Sequence, residues 1–275
     1  METISIPSSD GVTVALHHFG GRGRPLLIGH GTGFNGRAYR VLAGELHDHF
    51  DVWSIDFRGH GASNPPKDAD YAWDRIADDF EACIDHIGTP MLVCGHSLGS
   101  VMSLVVAQRR PDAIERAWLY EPVVFPQPVL DARDENPMSA MTRRRRADFD
   151  SRDAALERYR GRPPFDRFDP RCLEDLVEFG FVDTETGVTL ACIPEHEARV
   201  YEAEVAVTLE RMAGTELDCT IAVGESDPVG IVSALAAPLA DQLPNATLQR
   251  WPELSHLGPL EAPEEIAAAV IEALG

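Results

Sequence analysis

The sequence predicts an α/β fold: a mostly parallel sheet with helices packed on its faces, interrupted once by a helical insertion. Three observations predict it. Strand-like and helix-like signals alternate over the first hundred residues, which is how a parallel sheet with crossover helices reads. The apolar run Met91-Leu92-Val93-Cys94 passes through Gly95-His96-Ser97-Leu98-Gly99 straight into the helix-like Ser100–Ala107. The alternation then stops after Glu121-Pro122 and resumes near Leu217.

Each element follows from its pattern. Glu2–Ile6 and Val12–Phe19 read as an opening strand pair joined by the turn residues Ser8-Ser9-Asp10-Gly11. Leu26–Ile28 is a short buried strand, and Arg37–Leu46 a helix with Tyr39, Leu42 and Leu46 on one face. Phe50–Ile55 is the next strand and Asp74–Ile87 the next helix. Met91–Gly95 and Ser97–Arg109 form a strand and helix around the serine, and Ile114–Tyr120 continues the sheet. Residues 122–205 are richer in proline and charge, with no clear sheet strand. Asp153–Tyr159, Arg171–Phe179 and Glu195–Ala206 are amphipathic there. Leu217–Val223, Ile231–Gln242, Ala246–Trp251 and Pro263–Leu274 then give strand, helix, strand and a closing helix with proline in its first turn. The expected division is a core of residues 1–121 and 206–275 around an insert of 122–205.

Composition narrows the function. At 275 residues, with 44% hydrophobic and 25% charged residues, the chain can bury a sizeable core as an ordinary globular protein. A net charge of −21 disfavours nucleic acid and anionic membranes, which repel such a surface. Lys67 is the sole lysine, which fits arginine-favouring codon usage better than a salt-adapted surface. No apolar stretch is long enough to cross a bilayer, and Met1–Asp10 lacks a basic-then-apolar signal pattern, so a cytoplasmic location is expected. The five cysteines are widely spaced and read as small buried hydrophobes.

A serine flanked by glycines two residues to either side, between strand and helix, is a candidate nucleophile. So sharp a reversal strains the serine backbone and requires neighbours without a Cβ. The helix N-terminus beside it supplies free amides for negative charge. A serine hydroxyl needs a base, and the base needs an orienting group. Loops at the carboxyl ends of parallel strands converge on one edge, which narrows the search. His256 follows the strand Ala246–Trp251, and Asp227 follows Leu217–Val223 within Gly224-Glu225-Ser226-Asp227-Pro228. The order Ser97, Asp227, His256 therefore gives nucleophile, acid and base. Glu121, ending the strand Ile114–Tyr120, is the competing acid; Asp227 is preferred because its loop immediately precedes the strand of the histidine.

His30-Gly31-Thr32-Gly33 follows the strand Leu26–Ile28. An oxyanion needs two preorganised donors, and the amides of Leu98 and Thr32 are the expected pair. No Gly-Lys-Ser/Thr and no dinucleotide fingerprint is present, so a nucleotide is not expected. His17-His18 and His47-Asp48-His49 lack partners at ligand spacing, so no metal is expected either. Asp56-Phe57-Arg58-Gly59-His60-Gly61 reads as a braced turn, and His96 as a packed or hydrogen-bonded neighbour of the nucleophile. Arg143–Arg146 reads as a solvated helix face, with a clamp for an anionic substrate as the alternative.

Together these segments, with Glu261-Ala262-Pro263-Glu264 after His256, resemble the α/β-hydrolase superfamily over the whole chain. One departure is Ser255, where relatives often carry glycine. The resemblance implies an eight-stranded, mostly parallel sheet flanked by helices, with a helical cap inserted after the sixth strand, here residues 122–205. Epoxide hydrolases and haloalkane dehalogenases use aspartate as nucleophile, so Ser97 points instead to a serine esterase, lactonase or related acyl hydrolase without a cofactor. The expected substrate is a small to medium apolar ester, with Phe125, Phe165, Phe168, Phe179, Phe181 and Tyr201 available to line a pocket or pack the cap. Lactone cleavage, carbon–carbon bond hydrolysis and cofactor-free perhydrolysis would use the same triad, and a non-turnover small-molecule binder on this fold is the reading from another class.

Overall fold

The computed structural model describes all residues except 132–135, 204, 206 and 227–231. Eight strands form the main sheet: β1 (Glu2–Pro7), β2 (Thr13–Gly21), β3 (Arg24–Gly29), β4 (Phe50–Asp56), β5 (Met91–His96), β6 (Ile114–Tyr120), β10 (Asp218–Gly224) and β11 (Ala246–Trp251). Their spatial order is β1-β2-β4-β3-β5-β6-β10-β11. β1 and β2 pair antiparallel with each other and β2 pairs antiparallel with β4, whereas the remaining pairs are parallel.

The helices are α1 (Arg40–Leu46), α2 (Trp73–Ile87), α3 (Leu98–Arg109), α4 (Gln127–Asp131), α5 (Pro137–Arg143), α6 (Arg152–Arg160), α7 (Pro170–Gly180), α8 (Pro194–Glu202), α9 (Leu209–Met212), α10 (Ser233–Gln242), α11 (Gly258–Glu261) and α12 (Pro263–Leu274). Two hydrophobic clusters cover the two faces of the sheet. One packs α2, α3 and α10 through Ile76, Phe80, Val101 and Leu239; the other packs α1 and α12 through Leu42, Leu46, Ile266 and Val270. A sheet buried on both faces explains why its strands read as unbroken apolar runs. β5 is buried at all six positions.

Between β6 and β10 the structure differs from the all-helical insert expected there. The amphipathic stretches are helices α6, α7 and α8, but a three-stranded antiparallel sheet of β7 (Asp148–Phe149), β9 (Gly187–Leu190) and β8 (Phe181–Thr184) accompanies them. These strands have only two to four residues, too short to show a two-residue alternation. Phe149, Ala155, Val177, Phe181, Val188 and Leu190 make a small core of their own beneath them.

Among the described residues, no helix is long and apolar enough to cross a membrane. All five cysteines are buried and free, as their spacing suggested.

Candidate active site

The turn from β5 into α3 holds Ser97 at φ 51° and ψ −110°, the left-handed strain that the motif requires. Backbone bonds fix it: the Ser97 amide donates to Tyr120 O (2.9 Å) and the Gly99 amide to His30 O (3.1 Å). The flanking glycines are needed for space. A Cβ on Gly95 would lie 2.6 Å from Ser100 Cα, and one on Gly99 would lie 2.2 Å from Gly29 O. α3 therefore packs against the backbone of β3, and its first amide, that of Leu98, has no acceptor within the helix.

His256 lies after β11 and bridges two partners. Its Nε2 is 3.1 Å from Ser97 Oγ, and its Nδ1 is 2.5 Å from Glu121 Oε2. A carboxylate accepts only, so Nδ1 carries the proton and Nε2 is free to accept from the hydroxyl. Glu121 is 1% exposed and sits at φ 45°, a second strained non-glycine residue on the same rim. Its Oε1 accepts the Gly224 amide (2.8 Å), and its own amide donates to Ala222 O (2.8 Å). The carboxylate is thus aimed by β10 on one side and His256 on the other.

The carboxylate that meets His256 is therefore Glu121, whereas the sequence reading preferred Asp227. Asp227 lies outside the described residues. Strand order explains the place of Glu121. β6 lies between β5 and β10, and His96 pairs with Tyr120 in register. The residues that follow, Ser97 and Glu121, leave adjacent strands at one level, while the loop after β10 begins a strand further away. Ser255, the departure from the glycine of relatives, donates its hydroxyl to Glu261 Oε1 (2.5 Å) and its amide to Glu261 Oε2 (3.0 Å). Tyr120 Oη donates to Ser255 O (2.7 Å), so the histidine loop is held from two sides.

The Gly31–Gly33 turn faces Ser97 across the cavity wall. Among the described residues, neither the Thr32 amide nor the Leu98 amide donates to a protein acceptor, so both donors expected for an oxyanion are uncommitted. Three neutral imidazoles brace this turn. His30 Nε2 accepts the Phe57 amide (3.0 Å), so its Nδ1–H donates to Gly31 O (2.8 Å). His60 Nε2 accepts the Gly33 amide (3.1 Å), and its Nδ1–H donates to Arg58 O (3.0 Å). His96 Nε2–H donates to His256 O (2.7 Å), leaving Nδ1 to accept from Tyr39 Oη (2.5 Å), which itself accepts the Gly31 amide (3.3 Å). Burial lowers the pKa of all three; with help from the nearby His30, it brings His60 down to about 3. His96, read as a bonded neighbour, thus ties the oxyanion turn to the histidine loop.

The braced turn is also as expected. Arg58 is fully buried against Asp79, with Nε 2.8 Å from Oδ2. Asp56 accepts the amides of Gly36 (2.6 Å) and Ala62 (2.8 Å), and its Oδ2 lies 3.0 Å from His17 Nε2. Burial would raise the Asp56 pKa, but His17, helped by His30 and the Ala62 amide, outweighs it and brings the value to about 2.

A cavity of about 750 Å³ opens over Ser97 and His256. Phe165, Phe181 and Tyr201 line it, as do Phe34, Leu176 and Leu190, which the sequence reading did not single out. Phe168 instead packs into the core, and Phe179 lies under the Arg37 guanidinium at 4.5 Å. The run Arg143–Arg146 is not one solvated face. Arg143 pairs with Glu195 and Glu202 at the surface, whereas Arg145 lines the cavity and pairs with Glu197. Among the described residues, no cluster of histidine, cysteine or carboxylate side chains could hold a metal ion.

The model of the alpha/beta hydrolase family matches residues 26–269, and the chain belongs to that family. It is 33% identical over 102 residues to (E)-2-((N-methylformamido)methylene)succinate hydrolase of Acinetobacter baylyi, covering 36% of this chain and 38% of that one. It is 28% identical over 118 residues to N-formylmaleamate deformylase of Pseudomonas putida, covering 42% and 44%. These matches span less than half of either relative. Among solved structures, E-2-(acetamidomethylene)succinate hydrolase superposes with a TM-score of 0.81 at 22% identity, covering 99% of both chains. That likeness is one of fold.

Proposed function

We propose that the chain is a serine hydrolase that cleaves small carboxylic esters through an acyl-enzyme on Ser97. One observation carries this reading: the His256 ring, its tautomer fixed by Glu121, presents a free Nε2 to a strained serine hydroxyl at 3.1 Å. His256 takes the Ser97 proton as Oγ attacks the ester carbonyl, and the Leu98 and Thr32 amides receive the oxyanion. The tetrahedral adduct collapses, the C–O bond breaks, and His256 protonates the departing alcohol. Water then loses a proton to His256, attacks the acyl-enzyme and releases the acid, returning the proton to Ser97. Glu121 holds the ring and offsets the imidazolium charge at each stage. Residues 122–205 act as the cap that shapes the cavity over these groups.

The test is labelling and turnover together. A fluorophosphonate probe should label Ser97 alone, and Ser97→Ala should lower kcat on p-nitrophenyl esters by about 10⁶-fold. Labelling elsewhere, or full turnover by Ser97→Ala, overturns the assignment. Labelled Ser97 with no hydrolysis across ester, lactone, dienoate and peroxide panels would favour a binding protein.

A second reading, cleavage of an acyl C–N bond, is favoured by the deformylase name of one relative. The same groups serve it, with His256 protonating a departing nitrogen. Matched ester and N-formyl substrates, compared by kcat/KM, separate the two.

A further inference from the structure

We propose that Glu197 and Arg145 form a recognition subsite for an uncharged group that both donates and accepts hydrogen bonds, such as a carboxamide on the substrate. The inference rests on the cavity being the substrate site proposed above. Glu197, on α8, is 4% exposed, yet it lines the cavity together with Arg145. Its Oε2 lies 2.7 Å from Arg145 Nη1, and the two charges cancel within the wall. That contact does not satisfy the pair. Among the described residues, Glu197 Oε2 and Arg145 Nε are both buried without a well-aligned hydrogen-bond partner, one an acceptor and the other a donor. Nor is the pair needed to tie α5 to α8, because Arg143 already does so through Glu195 and Glu202.

The carboxylate lies against the oxyanion turn. A Cβ on Gly33, which sits at φ 82°, would be 2.6 Å from Glu197 Oε1. A group bound there is therefore one residue away from the Thr32 amide, close to the reacting carbonyl. Chemistry selects the occupant. A substrate carboxylate would bring a second negative charge against Glu197, and an ammonium a second positive charge against Arg145. A purely apolar group would offer the exposed edge of this pair no hydrogen-bond partner, which weakens binding by about 10-fold or more. A carboxamide gives its N–H to Glu197 and its C=O to Arg145.

Ser97→Ala enzyme, which carries out no chemistry, isolates binding from turnover. Calorimetry would compare hexanamide, pentyl methyl ketone, which replaces NH₂ by CH₃, and hexanoate. Hexanamide should bind at least about 10-fold tighter than the ketone, with hexanoate weakest. Removing the pair together, as Arg145→Met with Glu197→Leu, leaves no lone buried charge and should bring the two neutral probes within about 2-fold. Equal affinities in Ser97→Ala, hexanoate binding tightest, no probe binding, or a preference that survives loss of the pair would overturn the proposal. Should the pair-less variant not fold, the ranking in Ser97→Ala decides alone. An unlabelled Ser97 in the wild type, with this ranking intact, would sink the hydrolase reading and leave the subsite standing.

Discussion

At the rim of the parallel sheet, Ser97, Glu121 and His256 are fixed by backbone groups of neighbouring strands and loops. Ser97 is bonded to Tyr120 O, Glu121 to Gly224 and Ala222, and the carbonyl of His256 to the His96 ring. The segment between β6 and β10 is held differently. Besides Phe168, Leu173 and Leu176, which pack into the main core, it has a small core of its own and surface pairs such as Arg143–Glu195, Arg152–Asp183 and Arg171–Glu264. Exposed pairs of this kind contribute little each. The contrast separates two tasks. Reacting groups need sub-ångström placement, which close-packed backbone provides, whereas the cavity wall can change its side chains without disturbing them.

The largest structural effect should come from breaking the rim. Gly99→Ala puts a Cβ 2.2 Å from Gly29 O and 2.3 Å from Gly29 C, against backbone with no flexible side chain to give way. We expect a loss of about 3 kcal/mol in urea unfolding, with activity falling alongside it. A variant as stable as wild type would show that the elbow is not close-packed.

Acid should destabilise the rim. His30, His60 and His96 are all neutral by burial, with His60 near 3 against about 6.5 in the unfolded chain. Their folded pKa values are depressed, so between these limits the unfolded chain binds more protons. Stability is then full above about pH 6.5 and declines as pH falls towards 3. Asp56, at about 2, adds a further loss only below about 3.8. Melting temperatures at pH 7, 5 and 4 should fall steadily, and a flat profile would contradict the neutral, buried imidazoles.

The mildest effect belongs to the cavity wall. Phe165 stacks on Tyr159 at 4.4 Å between ring centres and lines the cavity. Phe165→Ala should raise KM for apolar esters by about 10-fold and lower kcat much less, because it removes contacts shared by ground and transition states. A loss confined to kcat would place Phe165 among the groups that hold the reacting atoms.

The same contrast governs what the sequence made legible. The strand–elbow–helix around Ser97 was readable because steric demand writes itself into residue type: only glycine fits beside Ser100 and Gly29. His256 was readable from its place after the last strand. That Glu121 meets His256 was not, because choosing between Glu121 and Asp227 requires the lateral order of strands, which local pattern does not encode. The short sheet of β7, β8 and β9 escaped for another reason. Its pairing partners lie up to 41 residues apart and no strand exceeds four residues, too few to show alternation, so only Phe149, Phe181, Val188 and Leu190, meeting in three dimensions, reveal it. Arg145 likewise looked like its neighbours in the arginine run until the chain turn after α5 faced it to the cavity.

Parallel kinetics of Glu121→Gln and Asp227→Asn ask whether Glu121 orients the base. Glu121→Gln should lower kcat on a p-nitrophenyl ester by about 10⁴-fold, as removal of a triad carboxylate does when it leaves the wrong tautomer. Asp227→Asn should change it by less than about 10-fold. The reverse pattern, a collapse with Asp227→Asn and near-normal turnover with Glu121→Gln, would contradict that role for Glu121.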